Sequence, residues 1–201
     1  MTPVEVLGWV CAALGSVGLL PQTIKLVRDQ DTEGISLWFW QALLAIGIAW
    51  SSHGLKIGQA NMVVPNVIMT VTCLFTLWLL MRDRGLAFVS TFAPSAALAV
   101  GLIATDLMLG SVVYGLVVMV PGVAGAVSQL REIVTAASVT GVSRLFLVFN
   151  LLIQAGWVTW GTLVGDPSTM INSTALVILA SVTLAAYVRR VLVPRRAPQE
   201  A

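Results

Sequence analysis

Residues 34–58 read GISLWFWQALLAIGIAWSSHGLKIG, and residues 141–165 read GVSRLFLVFNLLIQAGWVTWGTLVG. The two stretches lie 107 positions apart with no gap, and Gly34, Ser36, Phe39, Trp50, Gly54 and Gly58 recur as Gly141, Ser143, Phe146, Trp157, Gly161 and Gly165. Outward in the same register, Gly8, Gly15, Gly18, Gln22 and Arg82 recur as Gly115, Gly122, Gly125, Gln129 and Arg189. Each copy covers three apolar spans, and a spacing of 107 leaves room for one further span between them. A duplicated apolar unit that keeps its few polar and aromatic landmarks suggests two half-sites facing each other across a pathway.

Composition sets the solvent. The 201 residues include 11 Lys and Arg and 9 Asp and Glu, 58% are apolar, and the mean hydropathy is +0.93. So few charges would not keep a soluble domain of this size in solution. They cut the chain into seven uncharged runs, 6–24, 34–55, 57–81, 85–105, 107–130, 145–165 and 167–188, each of 19 to 25 residues. An apolar helix needs roughly 20 residues to cross about 30 Å of hydrocarbon. The runs are continuously apolar and do not alternate every second residue, which favours helices over a β-barrel. The opening Met1-Thr2-Pro3-Val4-Glu5 lacks the positive n-region of a signal peptide. Cys11 and Cys73 both fall within spans, so neither a disulfide framework, a metal site nor another cofactor is expected.

The basic residues set the topology. With the N-terminus outside and the C-terminus cytoplasmic, Lys25, Arg28, Arg82, Arg84, Arg131, Arg144, Arg189, Arg190, Arg195 and Arg196 all fall inside, and only Lys56 falls outside. The arginines form no long basic stripe, so nucleic acid is not an expected partner. The first copy, 1–84, is followed by a linker span over 85–106, the second copy over 107–191 and a short cytoplasmic tail over 192–201. Three spans invert the direction of the next segment, and the linker span restores it. The expected fold is therefore an all-α integral membrane protein with seven transmembrane helices, arranged as two parallel three-helix bundles joined by a linker helix. Span one is expected over about 5–27, and Ser36 is expected to cap span two.

Pro21-Gln22 stands near the end of the first span, where a proline removes an amide donor and can create a hinge. Gln22 could partner the carbonyl that such a kink releases. With Lys25, the run Thr32-Glu33-Gly34-Ile35-Ser36, the three-plus-one-plus-three layout, and Trp50 with Asn66, the chain resembles the PQ-loop superfamily over residues 5–190. The resemblance is to SWEET-type sugar transporters and their half-size bacterial relatives. It implies a transporter in the bacterial inner (plasma) membrane.

In SWEET-type proteins, a tryptophan of span two and an asparagine 16 residues later touch the bound sugar, and Trp50 and Asn66 match that pair. Trp50 offers a broad face for a sugar ring, and Asn66 offers a donor and an acceptor for hydroxyls. Competing structural roles are an interfacial belt position for Trp50 and, for Asn66, a bond to the carbonyl freed by Pro65. In the second copy Trp157 matches Trp50, whereas Ser173 matches Asn66 and Asn172 matches Pro65. All three are further candidates for substrate binding. Pro21, Gln22, Gln129 and His53 are candidates for hinge or gate. Gln129 matches Gln22, but Ser128 replaces the proline.

Trp9, Trp38, Trp40, Trp78 and Tyr187 are expected to anchor span ends at the membrane interface. Asp106 and Asp166 are expected between spans, leaving no acidic residue within the mid-span regions to relay protons. No nucleophile, base and orienting group fall together, so an enzyme is not expected. The leading function is facilitative, alternating-access transport of a small neutral polar solute, with sugar as the favoured class. The alternatives are a proton-coupled carrier of amino acids or other solutes, and a PQ-loop membrane receptor or scaffold. Partners are that solute and membrane lipid, with self-association left open.

Overall fold

A computed structural model describes residues 1–16, 20–29, 36–135, 139 and 144–192. All regular structure in these residues is helical: α1 Pro3–Ser16, α2 Leu20–Asp29, α3 Leu37–Lys56, α4 Ala60–Asp83, α5 Phe88–Met108, α6 Gly110–Thr135, α7 Arg144–Val164 and α8 Pro167–Leu192. Gly18, Gly34, Gly141, Ser143 and the tail beyond Leu192 lie outside the described residues, as do the side chains of Pro21 and Gln22.

Local chemistry accounts for the helix ends. Thr2 and Glu5 form a reciprocal cap on α1, with Glu5 N–H donating to Thr2 Oγ1 at 3.2 Å and Thr2 N–H donating to Glu5 Oε2 at 2.7 Å. Ser36 caps α3 as its sequence position predicts, its hydroxyl oxygen accepting from Phe39 N–H at 3.2 Å. Of the one span expected over 5–27, α1 Pro3–Ser16 and α2 Leu20–Asp29 are described, and 17–19 lie outside the described residues.

Helices α4, α5, α6, α7 from Leu147, and α8 are each long and apolar enough to cross a membrane. Their exposed surface is what lipid would require. Along α4, Val64, Val67, Ile68, Val71, Phe75 and Trp78 form an exposed stripe at helical spacing. Polar side chains are buried instead, among them Thr23, Gln41, Thr76, Thr91 and Ser95. This inside-out pattern fits a chain whose solvent is hydrocarbon. The protein is a multi-pass membrane protein.

The chain divides into two compact units, Met1–Val118 and Met119–Ala201. In the first, α3 packs against both α4 and α5, and α1 packs against α4. Trp40, Leu44, Cys73, Leu77 and Leu80 fill the space between α3 and α4. Trp40 is 2% exposed, so it is a core residue and not the interface anchor expected from sequence. Trp38 and Trp78 are exposed, and Trp78 stacks on Phe75 and lies beneath the Arg82 guanidinium at 5.3 Å. In the second unit α7 packs against α8. There Arg190 donates to the Ile133 and Val134 carbonyls near the end of α6, which suits a cation at a helix C-terminus.

Candidate functional site

The repeated glycines shape two matching helix hairpins. Gly58 and Gly165 adopt φ of 68° and 72°, a left-handed conformation that glycine takes without strain. In each turn the same bond closes the chain: Gln59 N–H to the Gly54 carbonyl at 2.8 Å, and Asp166 N–H to the Gly161 carbonyl at 2.9 Å. Gly54 and Gly161 are also points of close approach. A Cβ on Gly54 would lie 2.9 Å from Val63 Cγ2 and 3.1 Å from Val63 N, and one on Gly161 would lie 3.1 Å from Thr169 Cβ. The paired landmarks in the sequence therefore have a packing cause.

Trp50 and Trp157 are held one turn before these glycines, each half-buried. Trp50 meets His53 edge-on, with ring centroids 5.6 Å apart and planes at 84°. Trp157 meets Trp160, the residue matching His53, at 5.4 Å and 88°. His53 and Trp160 are both fully buried. The same edge-to-face corner thus occurs in both copies, built from an indole and a ring one turn later. In the first unit Tyr114 of α6 completes it, 5.2 Å from Trp50 and 5.1 Å from His53.

Asn66 lies half-exposed on α4, and its Nδ2 donates to the Met62 carbonyl at 2.8 Å. That carbonyl is one position beyond the Asn61 carbonyl freed by Pro65, so Asn66 does not repair the proline break as sequence allowed. Gly47, one turn before Trp50, brings α3 against this part of α4: a Cβ there would lie 3.2 Å from the Asn66 carbonyl oxygen. Trp50 and Asn66 therefore stand at neighbouring levels of one hairpin. On α8, Asn172 is half-buried and Ser173 is 2% exposed. Gln129 is half-buried on α6.

The acidic residues depart most from expectation. Asp166 does join two helices, where it caps α8 by accepting from Ser168 N–H, Ser168 Oγ–H and Thr169 N–H at 3.3, 2.8 and 3.0 Å. Asp106 does not lie between spans. It sits in the last turn of α5, 3% exposed, with Oδ2 2.9 Å from His53 Nδ1 and Oδ1 2.8 Å from Lys56 Nζ. His53 is therefore fixed in an ionic group at the α3–α5 contact. Sequence reasoning missed this cluster because its members are 50 and 53 positions apart and carry no spacing motif.

Two comparisons bear on the arrangement. The sequence profile of the PQ loop repeat matches residues 3–52. The fold superposes on that of a eukaryotic SWEET transporter solved at 3.7 Å resolution, with a TM-score of 0.70 and 16% sequence identity, over 95% of this chain and 100% of that one. No characterised protein sequence matched the chain. The fold is that of the SWEET class of membrane proteins. Residues 3–52 thus resemble a PQ loop repeat within a chain of SWEET-like fold.

Proposed function

We propose that the protein is a facilitative transporter of a small neutral polar solute, with sugar as the solute class. Two three-helix repeats, 1–84 and 107–191, would alternate access to a central site, joined by the helix of 85–106. The observation that carries this reading is the aromatic corner present in each copy of a SWEET-like fold. An indole braced edge-on by a buried ring keeps a fixed orientation and costs little entropy when a sugar ring stacks on it. Asn66 spends one Nδ2 proton on the Met62 carbonyl, and the chemistry of the amide leaves a second proton and an acceptor oxygen for hydroxyls. Trp157, Asn172 and Ser173 are the proposed solute-binding counterparts in the second copy. Neutral groups of this kind hold a solute without the grip that would slow its release. The membrane is proposed to be the bacterial inner membrane, with the N-terminus outside and the C-terminus cytoplasmic.

Purified protein in liposomes, offered a panel of labelled sugars and amino acids, tests the reading. Saturable counterflow of a sugar with no imposed ion gradient is the expected result. Transport of amino acids alone, or a strict need for a proton gradient, would replace it with the coupled-carrier alternative.

A further inference from the structure

The proposed solute site uses the His53 ring only as a brace for Trp50 and makes no use of its nitrogens, of Asp106 or of Lys56. The three are tightly joined: His53 Nδ1 and Asp106 Oδ2 are 2.9 Å apart, while Lys56 Nζ donates to Asp106 Oδ1 at 2.8 Å and to its backbone carbonyl at 2.9 Å. The side chains of His53 and Asp106 are 0% and 4% exposed, and that of Lys56 is 34% exposed. Lys56 thus gives the buried pair a polar path to water. The imidazole stacks on Tyr114, at an interplanar angle of 26°, and touches Trp50 edge-on.

Charge counting shows what a proton would do there. With a neutral imidazole, Asp106 and Lys56 balance each other. A second proton on His53 adds one positive charge to an enclosed group, makes its bond to Asp106 one between two ions, and places a cation among aromatic rings. Imidazole is the side chain whose unperturbed titration falls between about pH 5 and 8. The surrounding helices add few other titratable groups. Lys56 lies on α3 itself, Asp106 is the ionisable residue of α5, Tyr114 is that of the packed turns of α6, and α4 has none before Cys73. In the second copy Trp160 occupies the matching position, keeps the ring contact and cannot titrate.

We propose that His53 and Asp106 form a proton-binding site that acts on Trp50, so that the solute-stacking corner of the first repeat responds to pH. The inference rests on the assignment of Trp50 to the solute, but the proton site can be tested without any solute. Linkage is reciprocal, so a proton that changes solute affinity must bind with an affinity that the solute changes by the same factor.

His53 is the only histidine in the chain, so histidine labelled with nitrogen-15 reports this site alone in the full-length protein in bilayers. Its NMR signals should pass from neutral to doubly protonated imidazole between pH 8 and 5, with a midpoint that moves in Asp106→Asn. An imidazole that keeps one protonation state across that range overturns the proton site. Tryptophan emission tests the action on Trp50. The wild-type minus Trp50→Phe difference should fall on acidification, since imidazolium quenches indole, and His53→Gln should remove the change. A pH-independent difference overturns the link. Should His53→Gln fail to fold, Asp106→Asn decides, because it must shift the emission midpoint along with the NMR midpoint.

Binding of labelled glucose and sucrose then gives the functional reading. Affinity for whichever sugar binds should change at least about fivefold between pH 5 and 8, and His53→Gln should abolish the change. Sugar binding that is unaffected by pH overturns the link to solute. If neither sugar binds, or Trp50→Ala binds normally, the solute assignment falls, while the two spectroscopic measurements still decide the proton site.

Discussion

Gly54 and Gly161 were visible in the sequence as a repeated landmark, but their cause is a contact. Alanine at either position would press its Cβ on the facing helix, at 2.9 Å from Val63 Cγ2 or 3.1 Å from Thr169 Cβ. Overpacking of this kind costs about 1–3 kcal/mol. A Cβ on Gly101 of α5 would meet nothing within 4 Å, so Gly101→Ala should be neutral or stabilising by about 0.5–1 kcal/mol. Thermal melts in one detergent should place Gly101→Ala above the variants at Gly54 and Gly161. Trp50 and Asn66 call for a transport measurement. Trp50→Ala removes a stacking surface worth about 1–3 kcal/mol by analogy with base stacking on aromatic rings, and Asn66→Ala removes hydroxyl partners of similar worth. Uptake by the correctly inserted double variant should fall to the empty-liposome background, and normal uptake would reject the proposed pocket.

The prolines show how helices solve a problem that their own sequence creates. Pro94 lies inside α5, and its missing N–H frees the carbonyl of Ser90. Gln41 of α3 donates to that carbonyl and to the Thr91 carbonyl, both at 2.9 Å. A side chain on the neighbouring helix thus replaces the lost bond where hydrocarbon offers none. Gln41→Leu keeps the volume and removes the donor, so it should destabilise the α3–α5 contact by about 1–3 kcal/mol. The melting temperature should fall, and the double variant Gln41→Leu, Pro94→Ala should recover most of the loss; no recovery would show that the glutamine acts by packing. Pro94 could be read in the sequence, but its partner 53 positions away could not. The cap at Ser36 was legible for the opposite reason, since donor and acceptor are three residues apart.

Duplication produced two similar hairpins with different chemistry. The fold match spans 95% of the chain, yet His53 faces Asp106 and Lys56 in one copy while Trp160 stands in its place in the other. A proposed carrier built this way would have one half that binds a proton and one that does not. The orientation proposed from the basic residues predicts that a cysteine introduced beside His53 is labelled from outside intact cells and one beside Arg84 is spared. The reverse pattern would invert the topology. The facilitative reading predicts solute counterflow without an imposed proton gradient. It also predicts slower exchange in Pro21→Ala with binding largely kept; unchanged exchange there would reject the hinge alone.

The membrane class, the five apolar spans of α4 to α8, the duplication and the capped start of α3 are all legible in the chain itself. Hydropathy, charge spacing and caps act over a few helical turns at most, so a linear reading captures them. Trp50 and Trp157 were legible as a pair because the copies keep register over 107 residues. Tertiary structure alone decided that Trp40 is core, that Asp106 is buried in a helix, and that His53 binds it against Tyr114. It also decided that Gln41 repairs the break at Pro94. These outcomes depend on which helix faces turn toward each other. Packing of distant segments sets those faces, and in a uniformly apolar chain the local pattern does not encode them.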